Sequence, residues 1–278
     1  MSSARSAVEP VSGEPSYGVR PASALVGYVR AAIVVGETEL RKLRHDPSDI
    51  LTRAVQPLLW LLIFGEAFSR LHALPTGKYS YLAFLTPGIL SQSVMFISIF
   101  YGLTLIWERD AGIIQKFLVL PVPRGSYVAG RAVGAGTRAL AQGFVVLILA
   151  LVLGVHLKWS VGGVFGALVA ILLGAGFFST LSMLIAVLVK SRDRFMGVGQ
   201  VITMPLFFAS NAIYPIDIMP HWLMWVARFN PLTYVVDLLR GFLVTGQVPH
   251  AALDFGILGA ALVAAQILAA RSYASVVI

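Results

Sequence analysis

Between Lys158 and Lys190 the chain runs without one charged side chain. A stretch of that length and polarity has few places to go. A hydrocarbon core ~30 Å thick needs about 20 apolar residues in a row. Inside lipid every backbone N–H and C=O must also be satisfied within the segment, which makes the segment a helix. Apolar runs near 53–69, 81–106, 129–155, 162–189, 197–214 and 252–270 repeat the pattern and predict an all-α membrane protein with six transmembrane helices. The bulk composition agrees. Charged residues make up 12% and hydrophobic ones 58%, with mean hydropathy +0.82, whereas soluble domains carry about 25% charged residues.

The formal net charge is +8, which on its own would admit nucleic acid as a partner. The basic residues are instead dispersed through the short segments between apolar runs, as topology signals are, and no binding stripe forms. Fifteen lie on the side of the termini: Arg5, Arg20, Arg30, Arg41, Lys42, Arg44, Arg53, Arg109, Lys116, Arg124, Arg131, Lys190, Arg192, Arg194 and Arg271. Five lie on the other side (Arg70, Lys78, Lys158, Arg228 and Arg240), and Arg138 falls inside the third run. The positive-inside rule therefore predicts that both termini are cytoplasmic. Residues 1–22, rich in Ser, Pro, Gly and Ala without an apolar core, read as a disordered cytoplasmic tail rather than a signal peptide. No cysteine occurs, so disulfides and thiolate metal sites are excluded.

Residues 24–44 carry one apolar stripe, with Leu25, Val29, Ala32, Ile33, Gly36, Leu40 and Leu43 at three- and four-residue spacing. Arg30, Glu37, Arg41 and Arg44 occupy a neighbouring face, and Glu37 and Arg41 stand at the favourable i,i+4 distance. Such a helix lies in the membrane interface. Within the spans, small residues recur every fourth position at Gly162, Gly166, Ala170 and Gly174, and again at Gly256, Ala260 and Ala264. In lipid these let helix backbones approach closely, which predicts a compact bundle. Pro57, Pro87 and Pro205 fall inside spans one, two and five and predict kinks there.

Two segments between spans break the pattern. From Trp107 to Arg131, charged Glu108, Arg109, Asp110 and Lys116 surround Ile113, Ile114, Phe117 and Leu118 at helical spacing, until Pro121 and Pro123 end the helix. This is a short amphipathic helix at the membrane surface, placed to be pushed from outside the membrane. From Tyr214 to His250 the chain is too long for a turn and too broken for a span. Pro220 opens a helix carrying Trp222, Met224 and Trp225, Asn230-Pro231 interrupts it, and Leu232 to Phe242 resumes it with Asp237 and Arg240 at i,i+3. Two short helices dipping into the outer leaflet fit, with Tyr234 placed to donate to the Asp237 carboxylate.

Catalytic constellations are missing. The Gly77-Lys78 pair is followed by Tyr79, and His72 stands where a phosphate-binding loop has its first glycine, so the chain is not expected to hydrolyse ATP. The histidines at 45, 72, 156, 221 and 250 all fall at span ends or in loops. Ionisable groups within spans reduce to Glu66, Arg138 and Asp254, few for an ion- or proton-coupled transporter. Glu66 is placed to pair with Arg70, and Arg138 to extend toward the cytoplasmic surface.

The arrangement resembles the ABC-2 type permeases, membrane subunits of ATP-binding-cassette exporters of the daunorubicin-resistance and nodulation-factor type. The likeness spans roughly residues 25–275. It rests on Glu108-Arg109-Asp110-Ala111-Gly112 through Leu120-Pro121-Val122-Pro123-Arg124 and on Asn230-Pro231-Leu232-Thr233-Tyr234 through Asp237-Leu238-Leu239-Arg240-Gly241. Tyr81 to Gly88 also resembles the start of the family's second span. Asp110-Ala111-Gly112 departs from a pattern in which an acidic residue directly precedes Gly-Thr.

The resemblance implies one transmembrane domain over 23–278 in the cytoplasmic membrane of a bacterium, in contact with lipid and not with nucleic acid. It implies a coupling helix at 111–120, with Glu108, Gly112, Ile113, Ile114, Phe117, Leu118 and Pro121 facing the cleft of a separate ATPase dimer that binds ATP and Mg. The interfacial helix, through Arg30, Glu37 and Arg41, would touch the same partner. A second permease copy, expected to be identical, would face the first across the substrate path. Trp222, Asn230, Pro231, Tyr234, Asp237 and Arg240 would form its outer gate. The implied cargo is a hydrophobic or amphipathic drug, lipid or glycolipid, with a polysaccharide as the alternative within the family.

Overall fold

A computed structural model describes residues 48–71, 79–111, 124–189 and 191–272, together with Arg30, Ile33, Val34, Glu37 and Arg41. Every regular element among them is helical. Helix α1 (48–71) joins Ser48–Leu59 and Gly65–Leu71 through a π-turn at Trp60–Phe64. Helix α2 is Tyr81–Asp110, α3 is Arg124–Val152, α4 is Val161–Leu188 and α5 is Arg192–Phe208. After a 3-10 turn at Ile216–Ile218 come α6 (His221–Phe229) and α7 (Pro231–Arg240), which ends in a second π-turn at Gly241–Thr245. Helix α8 is Ala251–Ser272.

Among the described residues α2, α3, α4 and α8 are long and apolar enough to cross a membrane. The predicted first and fifth spans also form helices, α1 and α5, but fall short of that length and apolarity. The fifth differs most from expectation, since α5 begins at Arg192 and stops at Phe208 instead of running 197–214. Its last carbonyls are taken by other groups: Ala209 N donates to the Pro205 carbonyl at 2.8 Å, and the Asn230 amide donates to Leu206 and Ala209 at 2.6 and 2.9 Å. The helices continue through Pro57, Pro87 and Pro205, and the π-turn of α1 starts three residues after Pro57.

Caps set several boundaries. Ser80 Oγ accepts from Ala83 N at the start of α2, Ser160 Oγ from Gly163 N at the start of α4, and Asn230 Oδ1 from Leu232 N at the start of α7. Pro231 occupies the first turn of α7, where a missing N–H costs nothing.

Helix α2 is the central post. Over its most apolar stretch it is 78% buried, against 17% for α8, which lies at the rim. Three of its hydroxyl groups are satisfied locally: Thr86, Ser91 and Ser93 donate to carbonyls four residues back at 2.8–2.9 Å. Two glycines let neighbours close on this post. A Cβ at Gly88 would overlap the Ala212 backbone, and one at Gly102 would overlap Ser182 of α4. Ser182 Oγ uses that closeness to donate to the Ile99 carbonyl.

The two stripes of small residues have different fates. On α4, Gly166 accepts the Phe242 ring, Ala170 is fully buried and Gly174 packs on Val235, so these three mark where α7 and its π-turn dock, while Gly162 is exposed with no neighbour within 4 Å. On α8, Gly256, Ala260 and Ala264 are exposed and turn away from the bundle, contrary to expectation. The face of α8 that packs carries Asp254, Leu258, Ala265 and Ala269 instead. Spacing identifies a stripe but not the side on which its partner stands.

Candidate functional site

Three groups of polar side chains interrupt the apolar bundle, one at each end and one between them. The first sits where α2 leaves the bundle and α3 enters it. Glu108 accepts from Tyr127 Oη at 2.7 Å and from the Arg131 guanidinium at 3.0 Å, and the same guanidinium also donates to Thr104. Arg131, only 4% exposed, lies 4.4 Å from the Tyr101 ring centroid, where the aromatic face adds to its stabilisation. Arg138 reaches back from two turns further along α3 to the other contact on that ring, at 5.3 Å. Asp110 pairs with Arg192 at 3.3 Å, and Arg192 also stands over Trp107, which ties α5 to the same end. Breaking a buried, hydrogen-bonded pair such as Glu108–Arg131 by removing one partner costs about 3 kcal/mol or more.

Of the predicted coupling residues, the structure thus places Glu108. Gly112, Ile113, Ile114, Phe117, Leu118 and Pro121 lie outside the described residues. What is visible is the frame on either side of them: α2 and α3 are bolted together through Glu108, Tyr127 and Arg131 where the intervening segment leaves and returns. In the interfacial segment, Glu37 and Arg41 do pair, at 2.6 Å, and are both exposed. The expected Glu66–Arg70 pair lies outside the described side chains.

The second group lies at the opposite end, around α7. Asn230 spans the gap between α5 and α7, with its amide nitrogen on the carbonyls of Leu206 and Ala209 and its oxygen on Leu232 N. Arg240 places its guanidinium 3.8 Å above the Phe84 ring and donates to the carbonyls of Asn211 at 2.7 Å and Phe84 at 3.4 Å. Asp237 accepts from the Asn211 amide and stands 3.9 Å from Arg240. The expected Asp237–Arg240 pair is therefore present but long, and Asn211, which was not anticipated, joins it. Tyr234 does not donate to Asp237; although the two share a helix face, its hydroxyl donates instead to the Arg228 carbonyl of α6. Trp222 is 69% exposed, and with Trp225 and Phe229 forms an outward apolar face on α6 suited to lipid.

Between the two ends lies a cavity of about 510 Å³, bounded by α1, α2, α3 and α5. Thr52, Gln56 and Pro57 line it from α1, Gln92, Ser93, Phe96, Ile97, Phe100 and Leu103 from α2, Gln142 from α3, and Met196 and Gln200 from α5. No described residue of this lining is charged. Gln92 and Gln142 form the deep wall at 3% and 2% exposure. The nitrogen of Gln92 and both polar atoms of Gln142 are buried without a hydrogen-bond partner. A buried amide left without any partner costs roughly 1–3 kcal/mol, so these atoms favour a hydrogen-bonding occupant. Neither glutamine is ionisable, so neither stands out among the charged positions of the spans. An uncharged amide in mid-span was the available signal.

Among the described residues no cluster of His, Asp and Glu has the form of a metal site. A family profile described as ABC-2 type transporter matches residues 31–244. Relatives include a putative transport permease, ycf38, of Cyanophora paradoxa, 29% identical across 77% of this chain and 74% of the relative. The daunorubicin resistance ABC transporter permease protein DrrB1 of Streptomyces coeruleorubidus is 26% identical across 83% and 82%. Nodulation protein J of Rhizobium leguminosarum bv. viciae is 27% identical across 76% and 81%.

Proposed function

The chain belongs to the ABC-2 type transporter family, and from that premise we propose that it is the permease subunit of an ATP-driven exporter, working with a separate ATP-binding subunit. The observation that carries this reading is the polar frame at the α2–α3 end. Glu108, Tyr127 and Arg131 join the two helices that flank residues 112–123, and Asp110–Arg192 adds α5. A push on that segment, delivered as the ATPase dimer closes, would reach three helices at once. ATP can drive the change only through its different affinity for the inward- and outward-open arrangements.

The remaining parts take their places around that step. Six helices, α1 to α5 and α8, span the cytoplasmic membrane of a bacterium with both termini inside. Two identical copies face each other, and 24–44 lies along the inner surface against the ATPase. Residues 221–245 close the outer end as re-entrant helices, with Asn230, Asp237 and Arg240 holding them to α2 and α5. The cargo is hydrophobic or amphipathic, in keeping with two relatives named for daunorubicin resistance and for nodulation. Lacking a phosphate-binding loop, the chain itself supplies passage and coupling and leaves hydrolysis to its partner.

Co-expression with the ATPase from the neighbouring reading frame tests the proposal. The two should co-purify, and hydrolysis in proteoliposomes should respond to candidate cargo. ATP turnover by the permease freed of every ATPase, or the lack of any stable complex, would refute it.

A further inference from the structure

We propose that the cavity between α1, α2, α3 and α5 is a cargo-binding site selective for uncharged ligands that combine a planar apolar ring with several hydrogen-bonding groups. The inference rests on the exporter reading for the word cargo, but the site is argued from its own chemistry. Gln92 and Gln142 line it from the neighbouring helices α2 and α3 and are almost wholly buried. Three of their amide atoms lack partners. An amide offers both a donor and an acceptor, so the pair recognises hydroxyl, carbonyl or amide groups without demanding a charge. Ser93 contributes little to that demand, because its hydroxyl is committed to the Ile89 carbonyl at 2.9 Å.

Phe96 and Phe100 supply the complementary apolar surface along the same wall of α2. No charged side chain of the described lining is available to neutralise an ionic ligand. Transferring an unpaired charge from water into such a site is strongly unfavourable, which sets neutral above charged analogues. The volume, about 510 Å³, falls in the range of sites that enclose drug-sized molecules. Two features point to ligand binding rather than support of the fold: the amides are not spent on protein partners, and the outer lining residues Gln56 and Gln200 are exposed, leaving a way in.

The test compares two fluorescent probes that differ only at C6 of the sugar, methylumbelliferyl glucoside with a hydroxymethyl group and methylumbelliferyl glucuronide with a carboxylate, on the whole permease chain in nanodiscs without its ATPase. The wild type should bind the neutral glucoside saturably and the anionic glucuronide at least about tenfold more weakly. Gln142→Leu and Gln92→Leu should each weaken the glucoside about tenfold while leaving the melting temperature unchanged or higher, because an unsatisfied polar group has been removed. Gln200→Lys, at the exposed rim, should raise glucuronide affinity without harming the fold. Absence of saturable glucoside binding, equal affinity for both probes, undiminished binding by both leucine variants, or a fall in their melting temperature would each overturn the proposal. Because no ATPase is present, these outcomes are separate from the co-purification and turnover results that decide the exporter reading.

Discussion

At the scale of single residues, the two charged clusters make opposite demands on a double-mutant analysis. Glu108 and Arg131 are in direct contact at 3.0 Å and shielded from solvent. Glu108→Gln or Arg131→Gln should lower unfolding stability by about 3 kcal/mol, and the double variant should recover a substantial part, read from thermal unfolding of all four proteins in one detergent. Arg240 and Asp237 are 3.9 Å apart, and each has other partners. Arg240→Gln strips donors from the Asn211 and Phe84 carbonyls and should cost about 2 kcal/mol. Asp237→Asn keeps an oxygen for the Asn211 amide and should cost less. The double variant should regain little, and full recovery would show that the long pair dominates after all. Sequence spacing made Asp237–Arg240 legible as an i,i+3 pair. It could not reveal Asn211, which reaches them only because α5 stops early and turns. Nor could it reveal Tyr127 and Arg131 as partners of Glu108, since contacts across an intervening segment have no periodicity.

At the scale of elements, helix existence follows from apolar length and from breakers, and the boundary furthest from expectation, the end of α5, is one capped from elsewhere in the chain. Asn230-Pro231 was readable as a break between α6 and α7 because proline and a capping amide leave a local mark. The early end of α5 was not, since the groups that cap it come from residue 230. Facing was the least legible property: the α4 stripe met a partner, whereas the α8 stripe did not. The same scale governs the amphipathic segment that α2 and α3 frame. Phe117→Asp should leave insertion and ATPase binding intact yet separate hydrolysis from transport, because a carboxylate without a partner in a protein cleft costs several kcal/mol. Wild-type export rates in a correctly inserted variant would remove Phe117 from that role.

At the scale of the whole molecule, the two polar ends are distinct. Lys158 N donates to the Leu243 carbonyl at 2.8 Å, placing the α3–α4 turn beside the α7 end, whereas Arg192 joins Asp110 at the other. With no native cysteine, the chain suits single-cysteine labelling. A membrane-impermeant reagent added to intact cells should modify a cysteine placed at the exposed Trp159 and spare one at the exposed Ser191. The reverse result would invert the topology. The rim position of α8 has a bearing on biosynthesis. Among the described helices it follows all the others in the chain, and it touches them chiefly through one face, with the Gln266 amide donating to Thr180 at 2.9 Å and Phe255 set against Phe242. It can therefore dock sideways out of the lipid onto helices already assembled, displacing nothing. A chain cut within the loop at 246–250 and expressed as two fragments should reassemble in the membrane and co-purify, while a cut at 153–160, which severs the inner helices α3 and α4, should not.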